Sequence, residues 1–173
     1  AIREELLGPH HPDVAATLSD LANVQRDRGD HDAALVALQR ALAIRREALG
    51  PDHPLVGGTL NNLGLLEQAR GNYAEAQSLL EGALAIVEAA FGGDSVDVAT
   101  ILNNLGRVHH MRGNYDEAQS LLERALAIRE HRLGANDLDV ASSLQNLGLL
   151  HMVRGDRLKA RELLERVLAV EPG

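Results

Sequence analysis

Apolar residues recur along this chain at helical spacing and stop at regular intervals. The clearest stretch has apolar residues three or four positions apart, at Val56, Leu60, Leu63 and Leu66. Pro54 fits the first turn of a helix, where its missing N–H costs no hydrogen bond. Gly71 suits a left-handed helix cap, and a second amphipathic stretch runs over 73–90. The pattern predicts two antiparallel helices joined by a tight glycine turn.

The same pattern returns every 42 residues. Four junctions at the ends of second helices mark this period, at Leu7-Gly8, Leu49-Gly50, Phe91-Gly92 and Leu133-Gly134. One helix pair cannot bury its apolar face alone, so neighbouring pairs must stack. We predict an all-α solenoid of antiparallel helix pairs. It consists of the end of a preceding helix at 1–7 and four repeats at 8–49, 50–91, 92–133 and 134–173.

Small residues occupy fixed columns of the repeat. Gly64, Gly106 and Gly148 share one position of the first helix, where Ala22 stands in the first repeat. Glycine inside a helix costs about 1 kcal/mol relative to alanine. Three glycines in one column therefore predict that the second helix approaches closely at this position.

Composition excludes several classes of function. The net charge of −8 argues against a nucleic-acid surface, and the chain has no cysteine for thiolate metal sites or nucleophiles. No apolar run approaches the ~18 residues of a membrane helix. No phosphate-binding loop or nucleophile motif is present, so we expect a cytoplasmic, non-catalytic protein without cofactor. His109 and His151 share a column, but zinc wants three or four converging ligands, and we expect no metal.

The repeats resemble tetratricopeptide repeats (TPRs) of the long form seen in kinesin light chains and many bacterial proteins. The second unit carries the matching residues Leu60-Asn61-Asn62-Leu63-Gly64, Arg70-Gly71-Asn72-Tyr73, Ala76, Leu80 and Ala83-Leu84-Ala85-Ile86. The third repeats them from Leu102-Asn103-Asn104-Leu105-Gly106 onward. The resemblance implies a right-handed superhelix whose first helices line a concave, peptide-binding groove. It also suggests a bacterial source.

Mapping by column assigns candidate groove residues to the first helices. They are Asn23, Arg26, Asn61, Asn62, Asn103, Asn104, Arg107, His110 and Asn146. The asparagines form a ladder that could hydrogen-bond the backbone of an extended peptide, or could instead brace neighbouring helices. The basic members suggest a peptide with acidic side chains, as the resemblance also implies. The same face carries apolar residues at Met111, Leu149, Met152 and Val153.

Three functions remain open at this level. The first is a protein-interaction module that binds an extended peptide in the groove. The second is a structural scaffold or self-associating array without ligand, with end-to-end association through Ala1–Leu7 and the last helix. The third is the regulatory arm of a larger signalling protein. An open groove would favour the first, and an asparagine ladder saturated by internal bonds would favour the second.

Overall fold

The computed structural model describes residues 2–170, and its regular structure is entirely helical over that range. The helices are α1 Ile2–Leu7, α2 Pro12–Asp27, α3 His31–Leu49, α4 Pro54–Ala69, α5 Tyr73–Phe91, α6 Val96–Met111, α7 Tyr115–Leu133, α8 Leu138–Arg154 and α9 Arg157–Leu168. Successive first helices (α2, α4, α6, α8) begin 42 residues apart, and so do successive second helices. The predicted all-α class is confirmed. Residue 1 of the expected N-terminal segment and residues 171–173 of the fourth expected repeat lie outside the described residues.

The chain divides into two compact units, Ala1–Ala90 and Phe91–Gly173. In the first unit α2 packs against α3, and α4 packs against both. In the second unit α6 packs against α7, while α8 packs against α7, α6 and α9. Each unit therefore repeats one arrangement, in which a helix pair is covered by the first helix of the following pair.

Each first helix begins at a residue whose side chain accepts a hydrogen bond from the backbone. His11 and His53 accept through Nδ1 from the N–H groups of Asp13 and Leu55, each at 3.2 Å. Ser95 and Asp137 hold the same position before α6 and α8. These bonds satisfy N–H groups that have no partner within the helix. The two histidines are thus helix caps, a role that the sequence analysis did not assign.

Every interhelical turn contains one glycine with positive φ. These glycines lie 21 residues apart, at Gly8, Gly29, Gly50, Gly71, Gly92, Gly113, Gly134 and Gly155. Gly155, inside a helix pair, is left-handed at φ 83° and ψ 3°. Gly50, between pairs, has φ 87° and ψ 160°, a region that is essentially restricted to glycine. The predicted left-handed turn at Gly71 is confirmed by its φ of 81°.

The predicted close approach at the glycine column is also confirmed. A Cβ on Gly64 would lie 2.7 Å from Leu80 Cγ, and one on Gly106 would lie 2.7 Å from Leu122 Cγ. Gly148 is similar, with Leu164 at 3.0 Å. Because a methyl group does not fit at those distances, glycine lets the two helices of a pair pack closely.

A buried arginine joins one helix pair to the next within each unit. Arg45 in α3 donates through Nη1 to Thr59 Oγ1 at 2.6 Å and to the Leu55 carbonyl at 3.1 Å. Arg129 in α7 donates in the same way to Ser143 Oγ and to the Asp139 carbonyl, both at 2.9 Å. Burial lowers the pKa of both guanidinium groups from the ordinary arginine value. The hydrogen bonds to hydroxyl and carbonyl oxygens partly compensate for this loss of hydration.

Candidate protein-interaction surface

In the second unit, α6 and α8 lie side by side and join two members of the predicted asparagine ladder. Asn146 Nδ2 in α8 donates to Asn103 Oδ1 in α6 at 2.9 Å. Asn103 is only 5% exposed, and Asn146 is half-buried. A buried amide pair of this kind holds the two helices in register. This part of the ladder therefore has a bracing contact.

The remaining asparagines lie at different depths. Asn104 is buried at 7% exposure, whereas Asn23, Asn61 and Asn62 are half-buried. Asn62, in α4, forms no side-chain hydrogen bond within residues 2–170. Its amide therefore keeps donor and acceptor capacity that a peptide backbone could use.

The basic candidates differ in how much charge they present. In the first unit, Arg26 donates to Asp27 Oδ1 at 3.0 Å and to Asn23 Oδ1 at 3.3 Å, so its charge is paired. In the second unit, Arg107 is half-buried and forms no ion pair among the described side chains. Of these two arginines, Arg107 is the one whose charge is not neutralised by a neighbour.

His110 contributes less charge than the sequence analysis assumed. Its ring centroid lies 5.9 Å from that of Tyr115. Burial lowers the pKa of His110 below the ordinary value of 6.5, because desolvation disfavours the imidazolium. The side chain is therefore mostly neutral near neutral pH, and it offers hydrogen-bonding atoms more than positive charge.

Apolar side chains lie exposed beside these polar groups on α6 and α8. Met111, Met152 and Val153 are 54–55% exposed, and Leu149 is 43% exposed. Methionine adapts its shape to a partner more easily than branched side chains do. The surface thus combines one unpaired arginine, amide groups and adaptable apolar residues within a single unit.

The histidine column gives no indication of a metal centre. His109 and His151 are buried near the ends of α6 and α8, and His151 Nδ1 lies 3.5 Å from Asp156 Oδ2. Within residues 2–170, no three histidine or carboxylate side chains lie together as a metal site would require. Over the same range no helix has the length and apolar character needed to cross a membrane.

Comparison with protein families identifies the chain. Two models described as tetratricopeptide repeat match it, one over residues 55–131 and 112–170 and the other over residues 14–55. The matches cover most of the chain, which therefore belongs to the tetratricopeptide repeat family. Repeats of this family are generally protein–protein interaction modules, and the fold is typically a non-catalytic scaffold. No curated protein sequence matches the chain significantly.

Solved structures place the repeats in the kinesin light chain-like subgroup. BtubC (BKLC) from P. vanneervenii is 27% identical with a TM-score of 0.80, covering 94% of this chain and 68% of that one. A Podosopora anserina structure, named for a kinesin light chain with nearly identical TPR-like repeats, is 28% identical with a TM-score of 0.73. A single-site variant of it has a TM-score of 0.76. Both cover 98% of this chain and 80% of their own. The predicted subgroup is confirmed.

Proposed function

We propose that this protein is an interaction module that binds an extended segment of a partner protein along its first helices. The observation that carries the proposal is the surface of α6 and α8. There the unpaired Arg107 stands on the same helix face as the exposed side chains of Met111 and Leu149. Interaction surfaces commonly combine adaptable apolar contacts with a few polar groups that fix orientation.

The chemistry of this surface suggests the type of peptide. Arg107 would pair with an acidic side chain, since a guanidinium matches the geometry of a carboxylate. Met111 and Leu149 would contact apolar residues on either side of that acid. Asn62, on α4 of the first unit, would bond a peptide backbone without reading its sequence. The expected partner is therefore an extended segment with an acidic residue between apolar ones.

A peptide-display screen on the purified protein tests the proposal. Selected peptides would be measured by fluorescence anisotropy against the wild type, Arg107→Ala and Asn62→Ala. Arg46, an exposed arginine on α3, supplies a matched control that removes the same charge elsewhere. We expect Arg107→Ala to weaken binding about tenfold, as for a partly desolvated charge pair, and Arg46→Ala to leave it nearly unchanged.

Two results would contradict the proposal. One is a screen that selects no peptide. The other is an equal loss of affinity in Arg107→Ala and Arg46→Ala, which would indicate only general electrostatic attraction. A third variant, Asn103→Ala, separates bracing from binding, because loss of its bond to Asn146 should lower the free energy of unfolding by about 1 kcal/mol.

A structural scaffold is the second candidate, and the Asn103–Asn146 bond favours it. If all asparagine variants lower stability and none changes binding, the ladder serves only to brace the helices. End-to-end association with a second copy belongs to this candidate. A regulatory arm of a larger signalling protein is compatible with either function.

A further inference from the structure

A second apolar groove lies on α8 and α9, at the edge of the proposed peptide surface. It has a volume of about 550 Å³. Its lining combines four apolar residues with three charged ones, namely Met152, Ala160, Leu164, Leu168, Arg157, Arg161 and Glu165. Leu168 is 85% exposed, which is unusual for a leucine that continues the apolar stripe of a helix.

The first unit shows what covers the corresponding face of a helix pair. There α4 lies along α3, with Arg45 bonded to Thr59 at one end. At the other end Arg70 Nη2 of α4 lies 3.5 Å from Asp32 Oδ1 of α3. Beneath α4, Leu38 is only 2% exposed, and this residue corresponds by column to Leu164 in the groove. The shape of the groove therefore fits an amphipathic helix.

The charges in the groove differ from those of the internal template. Asp32 and Asp116 mark the column that receives an arginine from the covering helix, and Arg154 lies 2.7 Å from Asp116. On α9 this column holds Leu158. Its neighbours are basic, and the first turn of α9 contains no acidic residue. Arg157 forms no side-chain ion pair in the described part of the chain.

These observations predict a reversed charge preference. The basic first turn and the positive end of the α9 dipole would repel an arginine from a covering helix and attract a carboxylate. A second copy of this chain is a poor match, because α2 carries Arg28 in the column of Arg70. The occupant should instead carry an acidic residue at that position.

We propose that the α8–α9 groove binds an amphipathic helix of a partner protein, lying on α9 as α4 lies on α3. An acidic side chain of that helix would meet Arg157 or Arg161, and its apolar stripe would cover Leu164 and Leu168. The site is separate from the extended-peptide surface, because the bound segment is helical and Arg107 takes no part.

Two synthetic peptides of residues 51–72 provide a probe drawn from the internal template. One has the native sequence and the other carries Arg70→Glu. Binding to the isotope-labelled protein would be followed by methyl NMR at Leu164, Leu168 and Met152. We expect the Arg70→Glu peptide to bind about fivefold more tightly than the native peptide, a ratio typical of a partly exposed charge contact.

Variants of the protein make the test specific. Leu168→Asp should abolish binding of both peptides without unfolding the protein, because this side chain is exposed. Leu158→Asp should restore the preference for the native Arg70 peptide, since it recreates the acidic column of Asp32. Arg107→Ala should leave the binding of both peptides unchanged, which separates this site from the extended-peptide surface.

Several outcomes would overturn the proposal. Equal or tighter binding of the native peptide to the wild type would remove the charge argument. Absence of any shift at Leu164 or Leu168 would remove the groove as a helix site. Concentration-dependent association of the protein alone, measured by sedimentation velocity and lost in Leu168→Asp, would assign the groove to a second copy.

Discussion

The glycine column gives a sharp quantitative prediction, and Gly106→Ala is its test. Alanine in place of an interior helical glycine stabilises a helix by about 1 kcal/mol. At Gly106, however, the new Cβ would lie 2.7 Å from Leu122 Cγ and 2.9 Å from Leu122 Cδ2. It would also lie 3.3 Å from the Ala118 carbonyl oxygen, so the side chain has little room to turn away. Overpacking of this kind costs about 1–3 kcal/mol.

We therefore expect Gly106→Ala to lower the free energy of unfolding by about 0.5–2 kcal/mol, the overlap minus the gain in helix propensity. Gly58 is the matched control. It lies in the interior of α4 and is exposed, and a Cβ there would meet nothing within 4 Å. Gly58→Ala should raise stability by about 0.5–1 kcal/mol. The two substitutions are chemically identical and should have opposite signs.

A third variant completes the set. Ala22 already occupies the glycine column in α2, where it is fully buried. Ala22→Gly should cost about 1 kcal/mol, because helix propensity is lost and no clash is relieved. Urea unfolding followed by circular dichroism at 222 nm measures all three, with m values compared because repeat arrays can lose cooperativity. If Gly106→Ala stabilises the protein as much as Gly58→Ala, the steric reasoning is refuted.

Three further predictions concern the buried arginine, the buried histidine and an interpair turn. Arg129→Val alone should cost about 1–3 kcal/mol in chemical unfolding, whereas Arg129→Val with Ser143→Ile should recover most of it; recovery no greater than for Ser143→Ile alone would contradict this. Because burial lowers the pKa of His110, its stabilising contribution is present above the unfolded-state pKa and is lost as the pH falls through the folded-state value. The melting temperature should therefore fall less between about pH 7 and pH 5 in His110→Gln than in the wild type, and parallel curves would exclude this role. Gly50→Ala should destabilise by about 1–3 kcal/mol in thermal unfolding, since its backbone angles exclude a side chain; an unchanged melting temperature would show that the turn can rearrange.

The sequence predicts much of this fold because its signals are local and repeated. Pro54 and Gly71 mark the ends of a helix through backbone chemistry that does not depend on the rest of the chain. The glycine column predicts close packing because a costly residue recurs at one position, and the distances at Gly64 and Gly106 confirm it. Each inference required only periodicity and one known energetic cost.

The candidate surface was less predictable, because its chemistry depends on three-dimensional neighbours. Arg26 and Arg107 look alike in sequence, yet Asp27 pairs with the first and no ion pair forms at the second among the described residues. His110 was counted as basic, but desolvation, which depends on packing, lowers its pKa. The bond between Asn103 and Asn146 joins residues 43 positions apart and could be stated only as one of two alternatives. The DOMAINS boundaries and the groove residues remain predictions.

The 21-residue spacing of the positive-φ glycines defines the step by which such a chain can change length. Removal of residues 50–91 would join Leu49 to Gly92, which recreates the leucine–glycine junction found at Leu133-Gly134. A deletion of any other size would place a residue with a side chain where the turn requires glycine. Gain and loss of whole 42-residue blocks is therefore the route by which duplication can lengthen or shorten this protein without the invention of a new turn.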